Sequence, residues 1–96
     1  MSNLEFPFEL VDVVRVEPRG GYRLLISFSS GEDGERDFSE LIAEGGMMVE
    51  PLRDPTFFAR VFLDDGIITW PNGFDMDSIA LHEKMKKAGA LRRSAA

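Results

Sequence analysis

The segment Trp70-Pro71-Asn72-Gly73-Phe74-Asp75 leaves the backbone few options. The short apolar run Ile67-Ile68-Thr69 before it reads as a strand, and the strand stops at Trp70 because Pro71 has no N–H to give to a ladder. Asn72-Gly73 then favours a tight turn: Asn bonds its own backbone and Gly tolerates positive φ. Just beyond, Asp77 is placed to cap an amphipathic helix of about three turns, which ends near Ala88 with Gly89 following in left-handed geometry. On its wheel Leu81, Met85 and Ala88 share the apolar face, with His82 at the rim.

Upstream, Leu10 to Val16 is rich in β-branched residues, and the apolar phase changes between Val13 and Val14, which a bulge or a strand covered on both faces would explain. Gly20-Gly21 supplies a hairpin turn. Tyr22, Leu24, Ile26 and Phe28 alternate with Arg23, Ser27 and Ser29 as a half-buried strand should, and Leu25 alone breaks the pattern. Ser30 to Gly34 reads as a second turn with a solvated tip at Glu32 and Asp33, followed by a short strand from Glu35 to Phe38. Ser39 or Asp37 caps a short helix that Gly45-Gly46 stops. Met47 to Leu52 reads as extended, Asp54-Pro55 opens a second short helix, and Val61 to Trp70 folds as a hairpin about Asp64-Asp65-Gly66. The expected fold is α+β: a small antiparallel sheet of about five strands, meander plus hairpin, with two short helices and a C-terminal helix. The tail from Leu91 to Ala96 is expected to fray.

At 96 residues the chain has room for one domain, and no linker or repeat marks a second. Seventeen acidic residues against eleven basic ones give a net charge of -6, which disfavours binding to phosphate backbones or anionic lipid. The basic stretch Lys84, Lys86, Lys87, Arg92 and Arg93 therefore reads as a solvated helix face. Without cysteine there is no disulfide, thiolate nucleophile or thiolate metal site. No secretory signal or membrane-length apolar window is present, which leaves a cytoplasmic location by elimination.

Val16-Glu17-Pro18, Tyr22 to Phe28, Gly34 with Asp37-Phe38, Pro51-Leu52-Arg53-Asp54-Pro55 with Phe58, and the Trp70 to Asp75 corner with Leu81 together resemble a bacterial family catalogued as domain of unknown function 2442. The likeness spans roughly positions 13 to 83, within a family-like core of about 9 to 89. It departs from the family pattern in residues inserted around Gly31 to Gly34, and in His82, where relatives often carry Tyr. The resemblance implies a small α+β domain and no established reaction. Some relatives resemble the N-terminal half of helix-turn-helix proteins, and others are encoded beside a second small protein, as in toxin-antitoxin or regulatory pairs.

Candidate sites are few. His82 is the only histidine, so a histidine metal cluster is excluded, and no Gly-x-Ser-x-Gly elbow supports a catalytic role for it. Asp64, Asp65, Asp75 and Asp77 fit turns and caps better than a cation loop. Surplus aromatic and apolar residues, namely Phe6-Pro7-Phe8, the Phe57-Phe58 pair, Met47-Met48 and Phe74, are where an interaction surface would arise. The expectation is a non-enzymatic interaction or regulatory module without cofactor or metal. Its contact residues would be Trp70, Asn72, Phe74, Asp75, Phe57 and His82, and its partner another protein or a second copy in a homodimer, since the meander's edges are open. Direct nucleic-acid or membrane binding is not expected. The alternative is a ligand-binding or enzymatic cleft near Trp70, Asn72, Asp75 and His82.

Overall fold

Local turn chemistry sets most of the chain path in the computed structural model, which describes residues 10–93. Gly20 and Gly21 adopt φ of 97° and 58°, folding β1 (Val13–Pro18) onto β2 (Arg23–Phe28). The β1–β2 register slips between Val13 and Arg15, so of the two expected explanations the bulge is present where the apolar phase changes. Leu24, Ile26 and Phe28 point inward from β2. The second turn is tighter than expected: Gly31 N–H donates to the Phe28 carbonyl (3.0 Å), and β3 (Glu32–Asp37) already begins at Glu32. Gly34 is thus a strand residue.

Its role is close approach. A Cβ on Gly34 would collide with the Ala90 carbonyl and stand 3.2 Å from Met85 Cε. Here α3 (Ser78–Lys87) packs on the sheet. Gly89 (φ 70°) then reverses the chain, and β7 (Arg92–Arg93) pairs with Glu32 and Asp33. Residues 92 and 93 are therefore tied into the sheet instead of fraying, with Arg93 Nη1 donating to the Ser30 carbonyl (3.2 Å). The first sheet has the order β1-β2-β3-β7.

Between the sheets, Gly46 O accepts from Val49 N and Glu50 N, and with Pro51 in the first turn this winds Glu50–Arg53 into a 3-10 helix where an extended connection was expected. Asp54 caps α2 (Pro55–Phe58) through Thr56 N (3.0 Å), as predicted. Asp65 and Gly66, with φ of 54° and 82°, turn β4 (Phe62–Asp64) into β5 (Ile67–Thr69). The corner then brings β6 (Asp75–Met76) back beside β5, so the second sheet is β4-β5-β6. Among the described residues, two sheets with seven strands stand in place of the single sheet of about five, the additions being the two-residue β6 and β7. The Gly66 carbonyl joins the parts, accepting from Val13 N (3.0 Å) and Ser78 Oγ (2.8 Å).

Trp70 occupies the middle of the core with none of its surface exposed. Its ring lies 5.5 Å from Phe58 and 5.7 Å from Phe74 between centroids, and its Nε1 donates to the Phe58 carbonyl (2.9 Å). Phe58 in turn meets Tyr22 edge-on, and the Tyr22 hydroxyl donates to the Arg53 carbonyl. On α3 the inward residues are Ser78, Leu81, His82 and Met85, while Ala88, expected on that face, is exposed because the helix ends there.

Two substitutions test this account by urea unfolding. Trp70→Phe keeps an aromatic ring but removes the indole donor, leaving the Phe58 carbonyl with only the longer bond from Val61 N (3.3 Å), and is expected to cost about 1–3 kcal/mol, against about 3–5 kcal/mol for Trp70→Ala. Gly34→Ala, whose φ is unremarkable, is expected to cost about 1–3 kcal/mol purely through overpacking against Ala90. A neutral Gly34→Ala would show that α3 and β7 yield at no cost.

Candidate functional site

A groove of about 250 Å³ opens where β3, α1 (Ser39–Glu44), β6 and the start of α3 converge. One wall depends on a cap: Asp37 Oδ1 accepts from Ser39 N (2.8 Å) and Ser39 Oγ (2.6 Å), turning the chain into α1 and presenting Phe38 and Leu41. Neither residue expected as the N-cap takes that position: Phe38 does, without a side-chain bond, and Asp37 acts from one residue before it. The corner makes the second wall. Gly73 N donates to Trp70 O and Trp70 N to Phe74 O, both at 2.9 Å, which sets Phe74 and Met76 along the groove. The third wall is α3, through Asp77, Ala80, Leu81 and Lys84.

Phe38 and Leu81 form its buried floor, and Leu41, Phe74 and Met76 stay half-buried beside it. Arg36 and Lys84 also line it, and the Arg36 guanidinium sits 5.7 Å over the Phe38 ring. Asp77 is committed to its cap, accepting from Ile79 N (3.0 Å). The lining residues include no hydroxyl, thiol or imidazole. Such a surface can hold an apolar group that carries negative charge.

The residues singled out from the sequence fall in three settings. Trp70 is sealed in the core. Asn72 is half-buried and clamps the corner: its Nδ2 donates to the Met48 carbonyl (2.9 Å) and its Oδ1 accepts from Phe74 N (3.4 Å). Phe74 lies in the groove wall, Asp75 is exposed on β6, and Phe57 is half-buried under the Arg60 guanidinium at 5.9 Å. Phe58, its neighbour, takes the core position. Phe6-Pro7-Phe8 lies outside the described residues. Arg36, Leu41, Met76, Ala80 and Lys84 were not among the expected contact residues. Of these only Arg36 sits in a sequence pattern, the every-second-residue row Glu32, Gly34, Arg36, Phe38, whose polarity hides the strand.

His82 is 1% exposed, not at the rim of the helix as its wheel position suggested. Its Nε2 lies 2.8 Å from Glu32 Oε1, which also accepts from Ser30 Oγ (2.9 Å), and its ring meets Phe28 edge-on at 4.9 Å. Glu32 is therefore a partner of α3 and not part of a solvated tip. The hydrogen bond from His82, then that from Ser30, holds the Glu32 carboxyl below its ordinary value of 4.5. Asp37 is held below 3.8 by Ser39. Among the described residues, no three His, Asp or Glu side chains are grouped to hold a metal ion.

Both carboxyls have folded-state values below their unfolded ones. Their stabilisation is complete above those unfolded values and is lost as pH falls through the folded values. The melting temperature is expected to decline below about pH 5. The deficit of Glu32→Gln relative to wild type should be largest near neutrality and shrink as acid protonates Glu32. A deficit independent of pH would place the Glu32 contribution in packing instead of charge.

No helix among the described residues is long and apolar enough to cross a membrane. No curated protein and no solved structure matches the chain. A family model described as "Protein of unknown function (DUF2442)" matches residues 13–87, from the first strand to the last residue of α3, and the chain belongs to that family.

Proposed function

We propose that this protein is a non-enzymatic interaction module that seats part of another protein in the groove between α1, β6 and α3. The observation that carries the reading is the set Leu41, Phe74 and Met76, apolar side chains left half-buried beside one another in an open groove. Met47, 91% exposed, and Met48 add an adaptable apolar pair on the loop that the corner residue Asn72 holds. The finer form of the reading is a cytoplasmic bacterial module acting as the small partner in a regulatory or toxin-antitoxin-like pair. A net charge of -6 favours a protein partner over direct contact with nucleic acid or membrane. Self-association is a further form of the same reading, supported by Val14, Phe62 and Ile67, which expose apolar surface on β1, β4 and β5. A ligand cleft at Trp70 and His82 draws no support from two side chains so fully enclosed.

The test is affinity capture from native extract with the wild-type chain and with Ala80→Glu, which places a carboxylate in the groove at an exposed helical position without disturbing the core. A stoichiometric partner held by wild type and lost by a folded Ala80→Glu is the expected result. A partner retained by Ala80→Glu moves the contact elsewhere. Light scattering on the same samples reads the oligomeric state, and a monomer at all concentrations removes the homodimer.

A further inference from the structure

We infer that the occupant of this groove is an acidic amphipathic segment, whose apolar side chains meet Phe74, Met76 and Leu41 while its carboxylates meet Arg36 and Lys84. The inference rests on the interaction reading above and names the chemistry of the partner.

The argument starts from β3. Arg36 pairs with Leu24 and Gly34 with Ile26, so Arg36 lies on the face of the sheet that carries buried Leu24 and Ile26. That face of β3 reads Glu32, Gly34, Arg36. Glu32 is answered by His82 and Ser30, and Gly34 is filled by α3 and Ala90. Arg36 has the Phe38 ring beneath it and, among the described residues, no carboxylate in ion-pair range. Holding a guanidinium half out of water without an anion forgoes the bidentate carboxylate contact to which its planar fork is suited.

Lys84, across the groove on α3, likewise makes no ion pair among the described residues, although Lys87 on the same helix meets Glu83 at 3.7 Å. Arg15, Arg23, Arg53 and Arg92 all have carboxylate neighbours. Arg19, Arg60 and Arg93 also have no carboxylate partner among the described residues, but Arg36 and Lys84 are the two such cations that line one apolar groove. Asp77, the one acid in the lining, accepts from Ile79 N at the α3 cap through Oδ1 and makes no ion pair with Arg36 or Lys84 among the described residues. Two cations against the one carboxylate leave the groove lining with a single positive charge in excess on an acidic protein, which favours an acidic chain over a basic one. The groove also continues along α3 into a second depression that shares Asp77, Ala80 and Lys84 with it and adds Ile79 and Glu83, the latter paired with Lys87 at 3.7 Å, an extension along the helix that suits a peptide segment.

A displayed random-peptide library panned against the full chain tests this. Enriched sequences are expected to interleave Asp or Glu with Leu, Phe or Met, and to bind more weakly as salt rises. Arg36→Gln and Lys84→Gln should each weaken a selected peptide by roughly three- to tenfold, with unchanged melting curves, and Ala80→Glu should abolish binding. Neutral or basic apolar peptides that Ala80→Glu still blocks would overturn the acidic partner and leave the groove as the docking site. Peptides indifferent to Ala80→Glu, or no enrichment, would overturn both.

Discussion

The hydrogen bond from Trp70 Nε1 to the Phe58 carbonyl is the contact on which the remaining arrangement depends. An indole must find an acceptor when it is fully buried, and the Phe58 carbonyl at the end of the four-residue α2 offers one, since its single backbone bond, from Val61 N (3.3 Å), leaves a lone pair free. Satisfying both groups at once pins β5 to α2. The 3-10 helix follows, through Leu52 in the core and the Tyr22 hydroxyl on the Arg53 carbonyl. The corner after Trp70 is then set in space, and with it Phe74 and Met76 in the groove wall. Trp70 thus shapes the candidate surface from inside without belonging to it.

A second constraint acts from the other sheet. β3 carries almost no apolar side chains, so it is held in place by specific contacts in place of general burial: Glu32 to His82, Gly34 against Ala90 and Met85, and the pairing of Glu32 and Asp33 with β7. A strand of this kind gains little from the hydrophobic effect and depends on α3 for its inward face. The same arrangement leaves Arg36 on the inward side at the end where α3 no longer covers it, which links the docking of the helix to the polarity of the groove.

The elements readable in advance share one property, that their cause is local. Gly20-Gly21, Asp54-Pro55, Asp65-Gly66 and Asp77 act on backbone atoms one to three residues away, and each does in the fold what its chemistry implies. The bulge at Val13 was visible because alternation in β1 breaks there. The less legible elements have distant causes. β3 lacks an apolar period, β6 and β7 are two-residue pairings that exist only beside their neighbours, and His82 is buried because its carboxylate partner stands fifty residues away. Among the candidate contact residues, Phe74 was named from the corner, whereas Arg36, Met76 and Lys84 come together only after three separate elements have packed.

By itself, the amino-acid sequence determined the turns, caps, helix ends and the α+β class, because glycine φ, proline geometry and Asp capping act within a single turn of chain. It also determined the excess of acid that any partner must meet. Tertiary structure alone decided that Trp70 and His82 face inward, that the terminal arginines pair with β3, and that Arg36 and Lys84 flank one apolar groove. Those outcomes depend on which surfaces, far apart along the chain, exclude water together, and no local pattern encodes that choice.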